Sequence, residues 1–486
     1  MEILFILSVP VVLALCPLLI RGARPLGWLS AAGYLAVLLV CFELIGRFLR
    51  QQSAIALYNF FYLDALSLFF MLVVLIVALA AALYSTGFIA RDVETQSLNQ
   101  NRGRFYYVFF NLFIFSMLMV TVVNSLGAMW VAIELTTLVS AFLVGFYNTK
   151  NSVEAAWKYI IICSVGIILA LLGTILFSYA LIFSGGARSL NWLDLMAAAG
   201  SLNGNVLKIA FIFILVGYGT KAGLAPMHTW LPDAHSQAVS PASALLSGVL
   251  LKTSIYAILR FVMIVNRSIG PAYTGHLLLL FGLISLIVAA GFIVVQKDLK
   301  RLLAYSSIEH IGLVAIGLGL GGLWGVYGAL LHVFNHAVTK SLLFFGAGNI
   351  VKKYDSHNLH TIHGVVHVLP FTGIMVLIGV FAVAGLPPFS IFFSELIILA
   401  GAFLKGSYLV AGLLLILIAV IFGALVYHFG RIMFGKPPKD MAVTAEPVPG
   451  ALAFVFLLFF ICVMGLAIPD MINRLLLSAV ALVRGI

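Results

Sequence analysis

Charged residues are scarce in this sequence. Asp, Glu, Lys and Arg make up 9% of its 486 residues, while 63% of the residues are hydrophobic. A soluble protein carries roughly 25% charged residues, so the shortage excludes a soluble globular fold. Apolar stretches of about 20 residues, each long enough to cross a bilayer as a helix, recur along the whole chain. The sequence therefore predicts an all-α polytopic membrane protein.

Motifs that hold cofactors are missing as well. The chain contains no Walker motif, no CxxCH haem site and no iron–sulfur spacing. Its cysteines are scattered through apolar segments without CxxC spacing, which argues against a disulfide framework or a cysteine-ligated metal; they are Cys16, Cys41, Cys163 and Cys462. We predict no cofactor and no metal, so that any redox reaction takes place in another subunit.

The N-terminal stretch lacks the basic residues that open a secretory signal peptide. It reads MEILFILSVPVVLALCPLLI, with Glu2 as its only charge, and is predicted to be a retained first span. The net charge of +11 suggests a nucleic-acid partner at first sight, but the basic residues lie in short loops. Membrane topology explains them better, and no nucleic-acid binding is predicted.

Fourteen membrane spans are predicted from the apolar stretches. The seventh and the twelfth are long and are interrupted by proline. The spans cover residues 3–20, 28–46, 63–84, 105–123, 127–147, 156–183, 206–236, 241–265, 275–296, 302–320, 324–350, 367–404, 407–433 and 450–468.

The two interrupted spans share a sequence pattern. AGLAP occupies residues 222–226 and AGLPP occupies 384–388, and each follows a span with a lysine, in AAWK at 155–158 and in AVTK at 337–340. The sixth span corresponds to the eleventh and the seventh to the twelfth. This offset of five spans is odd, so the two units are inverted in the membrane. Broken helices at matching positions of inverted repeats indicate an ion site near the midplane. The alternative is that proline and glycine merely bend these helices.

Four lysines and two glutamates stand out among the ionisable residues inside the predicted spans. Because each lysine at a bilayer centre costs about 2.5–3.5 kcal/mol, a functional role is expected for these residues, which are Lys158, Lys221, Lys252, Lys340, Glu134 and Glu395. Lys158 has an alternative role, since Glu154 lies four residues earlier and is placed to form a surface ion pair with it.

Three ionisable residues of the eleventh span share one helix face. His332, His336 and Lys340 are spaced by four residues and extend over about 12 Å. This spacing predicts a segment of a proton wire with water between the groups. Glu309 and His310 add polarity near the cytoplasmic end of the tenth span, where an interfacial pair is an equally consistent interpretation.

Four further histidines lie in one polar loop, and such a cluster suggests a metal site. No acidic cluster accompanies them, so a loop beside lipid headgroups is the better interpretation. They are His357, His360, His363 and His367.

Three stretches resemble the antiporter-like subunits of respiratory complex I: KAGLAPMHTWLPDAHSQAVSPASALLSGVLLKTSIYAILR, DLKRLLAYSSIEHIG and HVFNHAVTKSLLFFGAGNI. The same family serves multisubunit sodium/proton antiporters and membrane-bound nickel–iron hydrogenases, and SSIEH after KRLLAY is most similar to the formate hydrogenlyase group. The resemblance implies fourteen helices with broken helices seven and twelve. It divides the chain into N-terminal helices at 1–104, two inverted five-helix repeats at 105–265 and 266–434, and a last helix with a tail at 435–486.

The resemblance also implies roles for individual residues. Glu134 matches the glutamate of the fifth helix, and Lys221 matches the lysine beside the break in the seventh. Lys252 links two half-channels, His336 matches the eleventh-helix histidine, and Glu395 takes the exit position of the twelfth helix. The predicted proton-translocation set is Glu134, Lys158, Lys221, His228, Lys252, His310, His332, His336, Lys340 and Glu395.

The function expected on this basis is proton translocation by a membrane subunit of an energy-converting redox complex of the hydrogenase or complex I type. Two alternatives stay open, namely a sodium/proton antiporter subunit and a structural anchor for redox subunits. The predicted partners are other membrane subunits, peripheral redox subunits, membrane lipids and the transported protons. The predicted location is the cell (cytoplasmic) membrane, and the long lateral helix of the distal complex I subunit is not expected.

We expect both termini on the outer side of the membrane. Loops after odd-numbered spans hold 14 Lys and Arg and the opposite loops hold 9, so the positive-inside rule turns the first group toward the cytoplasm. Reporter fusions after residue 486 measure this orientation. Alkaline phosphatase should be active there, and an active cytoplasmic reporter at the same position would reject the topology.

Overall fold

The computed structural model describes residues 1–57, 59–186, 189–438 and 441–485. Arg188 and Lys439, which were counted among the loop cations, lie outside the described residues. The described chain is almost entirely helical. Its one small sheet is an antiparallel hairpin of β1 (Ile55–Leu57) and β2 (Phe61–Leu63), in which Ile55 pairs with Leu63.

Most of the helices follow one another through short loops. In chain order they are α1 (Glu2–Leu15), α2 (Ala23–Gln51), α3 (Ala65–Glu94), α4 (Gln100–Val122), α5 (Leu126–Val144), α6 (Lys150–Phe183), α7 (Trp192–Ala198), α8 (Gly204–Ala222), α9 (Trp230–Gln237), α10 (Ser240–Leu245), α11 (Leu251–Ile269), α12 (Ala272–Val294), α13 (Leu299–Leu320), α14 (Gly322–Tyr354), α15 (Val365–Val368), α16 (Pro370–Val383), α17 (Ser390–Leu404), α18 (Tyr408–Met433), α19 (Val448–Leu466) and α20 (Asp470–Arg484).

The prediction of an all-α multi-pass membrane protein is confirmed. Within the described ranges, eleven helices are long and apolar enough to cross a membrane, counting α10 and α11 as one helix. Shorter apolar helices occupy Glu2–Leu18, Pro370–Val383 and Ser390–Leu404. The C-terminal helix α20 was not predicted, because residues 435–486 were expected to hold one helix and a tail. It packs against α3 and α14.

The centre of the bundle is formed by α3, α11, α13 and α14. Every residue of α13 from 302 to 320 is buried, as is every residue of α14 from 328 to 350. Helices with one exposed apolar face, such as α6 and α18, lie at the periphery. The ionisable residues in the buried stretches of α11, α13 and α14 are therefore surrounded by protein on all sides.

The two predicted helix breaks are present. The helix α8 ends at Ala222, and Gly223 follows in the left-handed conformation with φ +81°; after α16, Gly385 has φ +73°. Glycine is the usual residue at such helix ends, because other side chains meet steric resistance at positive φ. The chain resumes as α9 after the first break and as α17 after the second.

Protein side chains satisfy the backbone groups that the breaks set free. The amide of Ala225 donates to Ser285 Oγ at 2.9 Å, and the Trp230 indole donates to the Thr220 carbonyl at 2.8 Å. At the second break, Asn335 Nδ2 donates to the Ser390 carbonyl at 2.7 Å. Irregular backbone at membrane depth is tolerated only with such partners or beside water.

A buried ion pair fixes α3 to α11. Asp64 caps α3 by accepting from the Ser67 amide, and its two carboxylate oxygens accept from Arg260 of α11 at 2.6 and 2.9 Å. Both side chains are buried, and the guanidinium lies 4.5 Å from the centre of the Trp192 ring. This pair has no link to the buried lysines described below, so we assign it to stability.

Asp64→Asn should therefore destabilise the protein by about 3–5 kcal/mol, because it leaves the Arg260 charge buried without its counter-charge. Glu94→Gln is the matched control, since Glu94 pairs with Arg24 on the exposed surface and little change is expected there. Thermal unfolding of the detergent-solubilised protein measures the difference. Equal midpoints for the two variants would contradict a stabilising role for the Asp64–Arg260 pair.

Candidate functional site

The first group of buried polar side chains surrounds the end of α8. Lys221 is completely buried, and its Nζ donates to Tyr159 OH at 2.9 Å and to Thr137 Oγ1 at 2.5 Å. The Tyr159 hydroxyl in turn shares a 2.7 Å hydrogen bond with Ser140 Oγ. The partners of the ammonium are thus neutral hydroxyls from α5 and α6, and the C-terminal end of α8 adds the negative end of its dipole.

Glu134 is linked to Lys221 through a hydroxyl and not directly. Its carboxylate accepts from Thr137 Oγ1 at 3.2 Å and from Ser164 Oγ at 2.8 Å. Across the described residues, no ion pair within 4.0 Å joins Glu134 to a lysine. The two charges do not pair directly in this conformation, because Thr137 lies between them and bonds to both.

Lys158 lies apart from this buried group. Its side chain is 48% exposed and pairs with Glu154 at 2.7 Å and with Asp233 at 3.3 Å, while Asp233 also binds Arg301 at 2.5 Å. The structure thus contains the surface pair with Glu154 that was the alternative interpretation of Lys158. His228, in the break between α8 and α9, is mostly buried and its ring centre lies 6.4 Å from that of Tyr305.

A π-turn at Leu246–Leu250 connects α10 to α11 and immediately precedes Lys252. The Lys252 side chain is buried; its Nζ donates to the Ser247 carbonyl within this turn and to His336 Nδ1 at 2.5 Å. A π-turn leaves backbone carbonyls without their usual helical donors, which makes one available to the ammonium. Lys252 therefore connects α11 directly to the histidines of α14.

Three histidines form the next part of the site. His310 of α13 and His332 of α14 share a hydrogen bond of 2.9 Å, and the other ring nitrogen of His332 bonds to Ser394 Oγ at 2.9 Å. The His310 ring centre is 4.7 Å from that of His336, while His332 and His336 are 6.4 Å apart. His310 thus inserts between the two histidines that were predicted to share one face of α14.

Glu395 stands at the end of this series, beside the second helix break. A Cβ atom at Gly385 would lie 2.3 Å from Glu395 Oε2, so only glycine leaves room for the carboxylate there. His310, His332 and Glu395 each offer one ligand atom within 4.8 Å of the others. Both ring nitrogens of His332 are already engaged in hydrogen bonds, however, so the arrangement fits a hydrogen-bonded relay better than a metal centre.

Lys340 bonds to α13 and not to the histidines of its own helix. Its buried Nζ donates to the Leu303 carbonyl at 2.9 Å and to Ser306 Oγ. Glu309, about one turn further along α13, is also buried, and its Oε2 has no hydrogen-bond partner among the described residues. The interfacial interpretation of Glu309 and His310 is wrong, because both residues lie halfway along a helix that other helices cover completely.

The four loop histidines do not converge on one point. His360 accepts from Arg431 at 3.1 Å, His363 bonds to the His360 carbonyl, and His357 lies 3.9 Å from Asp298. Partial burial, together with the Lys300 ammonium nearby, lowers the pKa of His357 below its usual value.

Several residues of the site were not predicted. Thr137, Tyr159 and Ser394 supply hydroxyls to the line of charged groups, and nothing in their local sequence distinguishes them from other hydroxyl residues of membrane helices. His235 is fully buried between the rings of Trp230 and Phe344, and neither of its ring nitrogens has a partner in the part of the chain that the structure describes. Because His235 follows Asp233 by two residues, the local sequence could have placed it among the predicted site residues.

The sequence matches two family models. The first, described as NADH:quinone oxidoreductase/Mrp antiporter, TM, covers residues 123–422, and the second, NADH-ubiquinone oxidoreductase (complex I) chain 5 N-terminus, covers residues 54–106. Among curated relatives, the hydrogenase-4 component F homolog of Methylacidiphilum infernorum (isolate V4) is 40% identical over 384 residues. That match includes 79% of this chain and 80% of the relative.

Two solved structures share the fold. One is a chain of the membrane-bound sulfane sulfur reductase, an archaeal respiratory membrane complex, with a TM-score of 0.87, 22% identity and coverage of 99% of this chain and 97% of that one. The other is a chain of the Mrp complex from Dietzia sp. DQ12-45-1b, with a TM-score of 0.84, 18% identity and the same coverage. By sequence and by fold, this chain belongs to the family of transmembrane subunits of NADH:quinone oxidoreductases and Mrp antiporters.

Proposed function

We propose that this chain is a proton-translocating membrane subunit of a multisubunit, energy-converting redox complex. The observation that carries the proposal is the buried series Lys252, His336, His310, His332 and Glu395. Neighbouring groups in it are hydrogen-bonded or have touching rings, except for the last pair, in which one atom of His332 and one of Glu395 lie within 4.8 Å of each other. Ionisable groups at this depth are costly, and they persist in membrane proteins mainly along ion and proton pathways.

The proposal includes the finer architecture that the sequence suggested, with fourteen membrane helices and two inverted repeats. The first repeat, 105–265, holds Lys221 beside its break, and the second, 266–434, holds Glu395 beside its own. What supports this arrangement is the similar form of the two breaks, each with a left-handed glycine and a short second helix. Each repeat then contributes one half-channel, and the Lys252–His336 contact joins the two.

In the first half-channel, Thr137 transfers the proton. Lys221 donates to the Thr137 hydroxyl, and that hydroxyl donates to Glu134. A concerted shift along these two bonds moves one proton from the ammonium to the carboxylate and leaves both groups neutral. Neutral groups cost far less at membrane depth than separated charges. In the return step the Thr137 hydroxyl rotates and Lys221 is protonated again, which restores the charges. The coupled reaction can supply the free energy for this step.

In the second half-channel, imidazoles transfer the proton. A proton passed from Lys252 to His336 Nδ1 releases a proton from Nε2 of the same ring, since imidazole can gain at one nitrogen and lose at the other. Nε2 of His336 and Nε2 of His310 both lack partners among the described residues, and one water between the two rings would connect them. His310 then passes a proton to His332, beside Ser394 and Glu395.

The parent complex is proposed to be a membrane-bound hydrogenase or a complex I-like enzyme in the cell membrane, because a relative of similar length is named as a hydrogenase-4 component. Its partners would be other membrane subunits, peripheral redox subunits and lipids, and both termini would lie outside the cytoplasm. Sodium/proton exchange is the second candidate, since the matching family model also covers Mrp antiporters. A sodium requirement for ion uptake by vesicles separates the two.

Lys221→Arg is the sharpest test of the first half-channel. Arginine keeps the positive charge and can donate to Thr137 and Tyr159, so the complex should assemble. A guanidinium does not release its proton in proteins, so proton uptake per electron in sealed vesicles should fall at least several-fold. Lys405→Arg is the matched control, because among the described residues Lys405 donates only to the Leu320 carbonyl, away from the site. A normal ratio in Lys221→Arg would leave Lys221 as a structural charge.

Glu395→Gln tests the second half-channel. Glutamine has nearly the same shape and cannot exchange a proton, so the complex should assemble while proton uptake falls several-fold. Glu43→Gln, on the exposed face of α2, should pump normally. Both variants are measured by proton uptake in vesicles and by the amount of assembled complex. Unchanged pumping in Glu395→Gln counts against its exit role.

A further inference from the structure

A carboxylate from the loop before α19 reaches into the helix bundle. Glu446 Oε2 accepts from Asn349 Nδ2 of α14 at 2.5 Å and from Thr372 Oγ1 of α16 at 2.8 Å. The segment is held there by the amide of Thr444, which donates to the Val368 carbonyl at 2.9 Å. Among the described residues, no cation lies within 4.0 Å of the Glu446 carboxylate, although Arg91 and Lys352 line the same cavity.

The hydrogen bonds continue inward from Glu446. The Asn349 amide donates to Glu446, and its oxygen accepts from the Tyr84 hydroxyl of α3 at 2.8 Å. Tyr84 is buried, and its ring stacks on Phe345 at 4.2 Å. Tyr84, Asn349 and Glu446 line a cavity of about 10 Å³, which is roughly the room that one water needs. One water in this cavity would connect Glu446 to Tyr84, while Asn349 orients the neighbouring groups.

A glycine brings the Tyr84 hydroxyl close to α10. A Cβ atom at Gly348 would overlap Ser240 Oγ and would lie 3.0 Å from Tyr84 OH, so both oxygens lie beside the position that a side chain would take here. One bridging water would join them. Any side chain at residue 348 would fill this space, and the hydroxyls of α3 and α10 would be pushed apart.

A second buried group near α10 is the imidazole of His235. One turn along α10, Ser243 Oγ donates to the His235 carbonyl at 2.8 Å. The His235 ring stacks on Phe344 at 5.5 Å between ring centres, and Phe344 is one turn from Lys340 on α14. Because neither nitrogen of this buried ring has a partner among the described residues, His235 needs water or a mobile proton carrier on both sides.

We propose that Glu446 is the proton-collecting carboxylate of the second half-channel, which it supplies through Tyr84, Ser240 and His235 toward Lys340. This inference rests on the proposed function. In each cycle Glu446 takes a proton from the aqueous phase beside its loop and gives it to the cavity water, and the Tyr84 hydroxyl then accepts one proton as it donates another. No covalent bond other than O–H and N–H bonds forms or breaks.

The electrostatic setting of Glu446 agrees with this role. Burial raises the pKa of its carboxyl above the usual value, while the Thr372 hydroxyl and the Arg91 guanidinium act in the opposite direction. A carboxyl with a raised pKa holds its proton for a larger share of the time near neutral pH, as a proton donor to the interior must. Lys352, the other cation of the cavity, is already paired with Asp92.

The alternative is that Glu446 only fastens its loop to α14 and α16, and Glu446→Gln separates the two roles. Glutamine still accepts from Asn349 and Thr372, so a fastening role predicts normal assembly and normal pumping. A collecting role predicts normal assembly with proton uptake reduced several-fold, and partial recovery in Glu446→Asp, which titrates but is shorter. Thr372→Val is the matched control, because it removes one fastening hydrogen bond and leaves the carboxyl in place.

The experiment uses sealed native membrane vesicles containing the whole complex, with proton uptake and assembled complex measured together. Tyr84→Phe keeps the ring stack and removes the hydroxyl, so it should reduce proton uptake as Glu446→Gln does. If the glutamine variant does not assemble, Tyr84→Phe tests the inference in its place. Normal uptake in either assembled variant overturns the inference. If Lys221→Arg and Glu395→Gln also pump normally, the proposed function itself fails. If only the Glu446 and Tyr84 variants pump normally, only the collecting role fails.

Discussion

The desolvation of three buried lysines is the constraint on which the rest of this structure depends. Lys221, Lys252 and Lys340 lie where no bulk water solvates an ammonium. Each is held by hydroxyls, a carbonyl or an imidazole, and no carboxylate of the described residues pairs with it directly. Neutral partners stabilise the charge only in part. The bundle supplies these neutral partners through the broken helices, the π-turn and the hydroxyls of α5, α6 and α13.

The partial stabilisation of these ammonium groups by neutral partners distinguishes groups that can exchange protons from groups that hold the bundle together. Arg260 and Asp64 are equally buried, but two short hydrogen bonds join a guanidinium to a carboxylate, and neither group gains by losing its charge. Glu134 and Lys221 are separated by one hydroxyl instead. The same fold thus places a permanent ion pair at the N-terminal end of α3 and exchangeable charges elsewhere in its interior.

Features that depend on local chemistry could be predicted from the sequence. Glycine and proline mark both helix breaks, and a lysine inside an apolar run is costly wherever the helix packs. Features that depend on distant helices could not be predicted in this way. His310 was in the predicted set, but its hydrogen bond to His332 exists only because α13 packs against α14. Thr137 bridges Glu134 to Lys221 only because α5, α6 and α8 meet. The burial of Glu309 likewise follows from neighbours that its own span does not reveal.

The π-turn before Lys252 has a consequence for how the two halves of the molecule communicate. An α-helix advances by about 100° per residue, and a π-turn holds one residue more than a regular turn does. Everything after Leu250 is therefore rotated with respect to α10, and this rotation directs Lys252 at His336. With one residue fewer in the turn, the same lysine would face another helix. The junction between the half-channels is thus set by an irregularity in helix winding as much as by the choice of side chain.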